Sequence, residues 1–269
     1  MQSLTILITG ASSGIGAELA RQYAARGAYV ALVARRVDLL ETLAAELRAH
    51  GGQVSIHAGD VTRSGDIAAV VSALQDIGRS LDIVIANAGF GVAGSLQRLS
   101  IQDYQRQFET NVFGVLRTVY ETLGALRASR GRLVLMGSVA GHLATPGASA
   151  YAASKFAVRA LSESLRGDLR AEGIGITLIS PGFVDSDIRR IDNQGVLLAS
   201  VPDPVPSWLR VTTPRAVRAM IKGITQEKSE IVITGHGKLI VFFARYFPRT
   251  VRALVLHSYH ARPEPTAEI

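Results

Sequence analysis

The sequence predicts a doubly wound α/β fold, a seven-stranded parallel sheet covered by helices on both faces. Two observations carry this expectation. Short apolar runs bounded by Gly or Asn recur along the chain, as buried strands do when both faces of a sheet are covered. Between them lie longer stretches of helical period, so the order is strand then helix throughout. A chain of 269 residues, 48% hydrophobic, has enough apolar material for one large core, and a single domain over 1–269 is expected.

Taken in order, strands are expected at about 4–9 (LTILIT), 28–34 (AYVALVA), 53–58 (QVSIHA), 82–86 (DIVIA), 132–137 (RLVLMG), 175–180 (GITLIS) and 230–234 (EIVIT). Helices are expected at about 15–26, 37–50, 64–77, 103–128, 151–171 and 213–225, with Gly27 and Gly51 as stop signals after helix ends. Two segments break the alternation. Residues 183–212 are polar, carry Pro202, Pro204 and Pro206, and hold the sole tryptophan, Trp208; a lid at about 186–212 is expected. Residues 236–269 form a basic-apolar extension, in which Pro248 divides 236–257 into two short helices and the final ARPEPTAEI is frayed.

Composition removes several chemistries. Without cysteine there is no disulfide framework, zinc-thiolate site, iron–sulfur cluster or thiol nucleophile, and a reducing, cytoplasmic setting is expected. The histidines are scattered, and His257 and His260 have no carboxylate beside them, so no metal site is expected. The amino terminus lacks the basic start and long apolar core of a signal peptide, and no apolar run approaches the ~20 residues of a membrane span. The net charge of +7 is carboxy-terminal: residues 1–207 carry 19 basic and 18 acidic groups, whereas 208–263 carry 10 basic groups against Glu227 and Glu230. No aromatic residues interleave with Arg or Lys as on a nucleic-acid platform, so no nucleic-acid partner is expected.

The first expected strand runs into Thr9-Gly10-Ala11-Ser12-Ser13-Gly14-Ile15-Gly16 and then a helix. Glycines at such a turn let backbone N–H groups and a helix amino terminus approach a pyrophosphate. At the second strand end, the position where an acidic residue would bind a ribose 2′-hydroxyl is Ala34, followed by Arg35 and Arg36; arginine there suits a 2′-phosphate. Arg35 is the first choice for that contact and Arg36 the second. Tyr151 and Lys155 lie four apart at the start of a helical pattern and share one face, which brings an ammonium to a phenol. A neighbouring positive charge lowers a phenol pKa from about 10 and fits Tyr151 for proton exchange. Ser138, at the end of the fifth strand, can hydrogen-bond the same substrate oxygen.

These motifs resemble the short-chain dehydrogenase/reductase family over residues 4 to about 188, and more weakly to 235. The resemblance rests on G-x-x-x-G-x-G, Asn87-Ala88-Gly89, Asn111, Ser138, Tyr-x-x-x-Lys and Pro181-Gly182. It implies a Rossmann fold and a catalytic tetrad of Asn111, Ser138, Tyr151 and Lys155, with Lys155 also holding the nicotinamide ribose and Asn111 holding a relay water. It further implies cofactor contacts from Gly10, Ser12, Ser13, Gly14, Ile15 and Gly16, from Asp60 and Val61 at the adenine, from Asn87, Ala88 and Gly89, and from Pro181, Gly182, Val184 and Ser186 at the carboxamide. Three positions depart from the family pattern: Ser13 replaces a basic residue, Ala86 replaces a first Asn before Asn87, and Ser186 replaces Thr. The implied activity is interconversion of a carbonyl and a secondary alcohol with NADP(H), or with NAD(H). Leu143, Phe183 and Trp208 point to an apolar pocket for a small-molecule substrate. Family members pair through the two long helices, implying a homodimer or homotetramer. A non-catalytic protein responsive to NADP, and a sugar-nucleotide epimerase or dehydratase, are the competing readings. The carboxy-terminal segment is read either as packing on the domain or a subunit, or as a peripheral membrane contact.

Overall fold

The computed structural model describes residues 3–190, 193, 202–203 and 205–260. Seven strands form one sheet: β1 (Thr5–Thr9), β2 (Tyr29–Ala34), β3 (Gln53–Ala58), β4 (Ile83–Ala86), β5 (Arg132–Met136), β6 (Gly175–Ser180) and β7 (Glu230–Val232). Their order is β3-β2-β1-β4-β5-β6-β7 and every pairing is parallel, so the expected Rossmann-like architecture is observed. The helices are α1 (Gly14–Ala24), α2 (Val37–Ala49), α3 (Asp66–Asp76), α4 (Ile101–Phe108), α5 (Gly114–Ser129), α6 (Ser149–Ala171), α7 (Thr213–Thr225), α8 (Gly235–Tyr246) and α9 (Pro248–His260).

Side chains alternate across each strand, and the strands are apolar on both faces, so the sheet builds two cores. Ile6, Ile8, Val30, Leu32, Val134 and Ile179 face α1, α2 and α7, where Leu19, Leu40 and Val217 are fully buried. Leu7, Ala31, Val33, Leu133, Leu135 and Leu178 face α3, α5 and α6, with Ile67 and Val158 fully buried there. Neither face is open to water. That leaves the carboxyl ends of the strands, where the loops emerge, as the place for chemistry.

The expected helix over 103–128 is interrupted. Residues Glu109–Phe113 form a π-helical turn, in which the Gly114 amide bonds to the Glu109 carbonyl. Apolar period alone cannot reveal a one-residue insertion of this kind, because the pattern resumes beyond it. The lid expected at about 186–212 has a defined base: Val184 and Val211 pair in a parallel bridge, Asp185 N–H donates to the Val211 carbonyl, and Val211 N–H to the Phe183 carbonyl. Residues 191–192, 194–201 and 204 of that lid, and the terminal ARPEPTAEI, lie outside the described residues. Among the described residues no helix is long and apolar enough to cross a membrane.

One long-range cap joins the layer. The Glu121 carboxylate of α5 accepts from the Gly65 and Ala68 amides at 2.8 and 2.9 Å, satisfying free donors at the amino end of α3. Gly65, which precedes α3, has a left-handed backbone and no side chain to do this itself. Glu121→Ala should therefore lower stability by about 1–2 kcal/mol with an unchanged denaturant slope. Urea unfolding monitored by circular dichroism checks it; an unchanged midpoint would show that water serves those amides equally well.

Candidate active site

The glycine turn between β1 and α1 closes against β4. Gly10 and Gly14 have φ of +65° and +55°, a region that favours glycine. A Cβ on Gly16 would lie 2.2 Å from the Gly10 carbonyl oxygen and 2.7 Å from Asn87 Nδ2, so the helix start and the turn touch through backbone. Asn87 fastens them: its Nδ2 donates to the Thr9 and Gly10 carbonyls at 3.0 and 3.2 Å, while the Asn87 and Ala88 amides donate to Thr9 Oγ1. Gly89 lies where a Cβ would come 3.0 Å from Asn111 Oδ1.

At the end of β2 the two arginines separate. Arg36 Nη2 donates to Ser12 Oγ and Ser13 Oγ at 3.0 and 2.9 Å, and so covers the glycine turn. Arg35 is largely exposed and lies 3.8 Å from Asp60 Oδ2. Arg36, second choice from sequence, is thus the residue that reaches the turn, because it precedes α2 directly and its side chain swings back over β1. Asp60 also accepts from the Thr62 amide and hydroxyl, and buried Val61 packs on Gly114 of α5.

Tyr151 and Lys155 occupy the first two turns of α6, as their spacing predicts. Ser138 lies two residues past the end of β5, not within it, accepts from the Ala140 amide and hydrogen-bonds the Tyr151 phenol. Lys155 is buried, with Nζ donating to the Met136 carbonyl at 2.9 Å and standing 5.7 Å from the Tyr151 ring centre. Burial lowers the Lys155 pKa to about 8. The Tyr151 phenol departs from the sequence expectation: burial raises its pKa, against which the Ser138 hydrogen bond and the charge of Arg189 pull it down. The ammonium expected to depress it is spent on a carbonyl instead.

Asn111 sits in the π turn, fully buried. Its Oδ1 accepts from the Phe90 amide, and its Nδ2 donates to the Phe90 carbonyl and to Ser154 Oγ, which in turn donates to the Tyr151 carbonyl. The side chain therefore holds the loop after β4 against α6. Gln107, one turn earlier and not singled out from sequence, does the same: Oε1 accepts from the Val92 amide and Nε2 donates to the Phe90 carbonyl. A buried amide at i, i+4 from Asn111 was the available signal.

Beyond β6, Pro181, Gly182 and Val184 run along the site. A Cβ on Gly182 would lie 2.2 Å from Thr234 Oγ1, so this backbone rests on the start of α8. His236, also missed from sequence, stacks on Phe183 at 5.3 Å and accepts the Phe183 amide on Nε2; burial lowers its pKa, as a neutral acceptor requires. Ser186 comes close to Gly14, where a Cβ would lie 3.7 Å from the Ser186 Cβ, and both line a cavity of about 390 Å³ whose other walls include Asp185, Arg190, Asp203 and Arg210. Arg189 donates to Asp203 and to the Val184 carbonyl, and Arg210 bridges Asp185 and Asp203. The hydrogen bond from Arg189 holds the Asp203 carboxyl down at about 2. Trp208, expected in the pocket, is instead 82% exposed, because the short helical turn Ser207–Leu209 buries no side chain.

A parallel doubly wound sheet with a glycine cradle at one strand end and a Ser–Tyr–Lys cluster two strands away defines a Rossmann-type protein whose site lies at the carboxyl edge. The model of the short chain dehydrogenase family matches residues 4–196, and an oxidoreductase of Myxococcus xanthus (strain DK1622) is 36% identical over 86% of this chain and 87% of its own length. The chain belongs to the short-chain dehydrogenase family of oxidoreductases. The fold is similar to that of a short-chain dehydrogenase from Sphingobium yanoikuyae in complex with NADPH, at 28% identity and TM-score 0.76 over 98% of each chain. A short-chain dehydrogenase/reductase from Burkholderia phymatum in complex with NAD is 25% identical, with TM-score 0.79 over 100% of this chain and 98% of that one.

A buried ammonium held by one carbonyl destabilises the fold. Lys155→Met should therefore raise stability at pH 7 by on the order of 2 kcal/mol. Between about pH 8 and pH 10.5 the folded lysine is deprotonated while the unfolded one is still charged, so wild-type stability rises with pH and the gap closes. Urea melts of both proteins at pH 7 and pH 10 check this; an equal gap at both would contradict it.

Proposed function

We propose that this chain is an NADP(H)-dependent oxidoreductase that interconverts a carbonyl and a secondary alcohol on an apolar small molecule. The observation that carries the reading is the Tyr151 phenol, hydrogen-bonded to Ser138 and one helical turn from a buried Lys155, at the same sheet edge as the glycine cradle. The residues present fit a dinucleotide: side chains are excluded at Gly10 and Gly16, where the turn after β1 meets the end of β4. Gly10, Ser12, Ser13, Gly14, Ile15 and Gly16 would take the pyrophosphate, and Asp60, Val61, Asn87, Ala88 and Gly89 the adenosine half. Pro181, Gly182, Val184 and Ser186 would meet the carboxamide. When bound, the nicotinamide supplies or accepts the hydride.

The protein's own part is proton transfer and charge placement. Ser138 and Tyr151 hydroxyls converge on the position of the substrate oxygen, and Tyr151 Oη gives its proton there as an alcohol forms. Burial raises the phenol above its usual pKa, so the group stands as the proton donor. Lys155, with Nζ 5.7 Å from the Tyr151 ring centre, would hold the nicotinamide ribose, and Asn111 fixes the loop that borders Tyr151. Phe183 and Leu143 supply the apolar wall. Exposed Phe113, Tyr120 and Phe156 on the α5–α6 side support pairing of copies through these helices.

Tyr151→Phe should abolish carbonyl reduction and leave NADPH binding, read by fluorescence titration, within about twofold, because it removes a proton donor and little volume. Turnover like that of the wild type would exclude this mechanism and leave the non-catalytic binding reading. Arg35 and Arg36 together support the 2′-phosphate preference. Reversing Arg36 to Asp should cost roughly 1.5–3 kcal/mol or more in NADPH affinity, Arg35→Asp less, and both should turn preference toward NADH. An unchanged ratio of the two cofactors in either variant would assign the residue to the solvated surface.

A further inference from the structure

The geometry points to a second working surface: we propose that the α8–α9 segment docks on an anionic lipid membrane. Leu239, Phe242, Phe243 and Tyr246 follow the spacing i, i+3, i+4, i+7 and therefore share one face of α8. That face is turned outward, with Leu239 and Tyr246 each 61% exposed. The rings are not scattered. Phe242 packs on Phe243 and Tyr246 at 5.5 and 4.8 Å, and Phe243 on Phe247 at 5.9 Å, giving one continuous aromatic platform. Exposed apolar area of this continuity marks an interaction surface.

The opposite edge of α8 is fixed. A Cβ on Gly237 would lie 2.5 Å from Thr234 Oγ1 and 3.0 Å from the Val139 side chain, so the start of α8 presses on the turn that follows Ser138. The platform cannot fold inward without breaking that contact. Leu254 and Leu256 are also exposed, on α9.

Charge selects the occupant. Lys238 and Arg245 lie on one flank of the α8 stripe, Arg249 and Arg252 are exposed on α9, and residues 236–257 contain no carboxylate. A second copy meeting this face about a two-fold axis would bring the same four cations against one another. Anionic headgroups neutralise them while the aromatic face enters the interface, where tyrosine in particular sits with its ring in the apolar layer and its hydroxyl in water. The surface lies on the bilayer and does not cross it: α8, with 12 residues, is about 18 Å long, against a hydrocarbon core of about 30 Å. His236, in the first turn of α8, touches Phe183, so docking sets the substrate side of the site close to the lipid surface.

Flotation of the full chain with phosphatidylcholine vesicles, with or without phosphatidylglycerol, tests the proposal. Binding to the phosphatidylglycerol vesicles at low salt, weakened in about 1 M salt, is the expected result. Arg249→Gln with Arg252→Gln should weaken it about thirtyfold, about fivefold for each cation. Phe242→Ser with Phe243→Ser should abolish what remains at high salt. All four positions are solvent-exposed, and unchanged thermal melting of the variants confirms their fold. A wild-type chain that stays unbound at low salt, or binding indifferent to both double variants, overturns the proposal. So does loss of a dimer by the Phe242/Phe243 variant in sedimentation velocity, without vesicle binding by the wild type, since a second copy then covers the face.

Discussion

The carboxamide of Asn87 is the fastening on which the nucleotide side of this protein depends. In the order β3-β2-β1-β4-β5-β6-β7 the chain reverses direction between β1 and β4, so the loops leaving those two strands diverge and a crevice opens at their ends. Backbone groups there have run out of strand partners. Asn87 supplies donors to the Thr9 and Gly10 carbonyls, and the Thr9 hydroxyl accepts two amides in return. With Gly16 pressed on the Gly10 carbonyl, the turn, the helix start and the end of β4 become one body. The crevice stays open because its walls are bonded to each other behind it.

The Tyr151 side of the site is held by a different device, a defect in a helix. The π turn at Glu109–Phe113 shifts the register between α4 and α5, letting Gln107 and Asn111 both point at the loop Phe90–Val92. That loop borders the Tyr151 ring, and Ser154 links Asn111 to the backbone of Tyr151 itself. Two side chains thereby fix the position of a third without touching its hydroxyl. Rigid packing of α6 against the turn Val139–Gly141 completes the support, since Gly141 leaves no room for a Cβ beside the Lys155 carbonyl.

All seven strands and most of the helices were legible in the sequence, for a simple reason. Strands buried on both faces must be apolar throughout, and their helical neighbours must be amphipathic, so the two periods separate cleanly. The glycine turn, Ser138, Tyr151 and Lys155 were legible as motifs and fall at one sheet edge. What escaped depended on distance in the chain. His236 meets Phe183 across 53 residues and Arg189 meets Asp203 within a polar segment, and neither leaves a spacing that can be read. Trp208 misled because a lone tryptophan in a polar stretch resembles an anchor, whereas its helical turn packs nothing. That Arg36 and not Arg35 reaches the glycine turn is a matter of local backbone direction and not of residue type.

The bridge between Val184 and Val211 gives the enzyme a kind of evolvability. With Val184 and Val211 joined by paired amides, with Arg189 on the Val184 carbonyl and with Thr213 on the Asp185 carbonyl, the two ends of this span are held on a fixed base. Closing a loop twice as long costs only about 0.6 kcal/mol more. Insertions, deletions and wholesale changes of sequence in that span can therefore accumulate without disturbing the sheet, the glycine turn or the Tyr151–Lys155 pair.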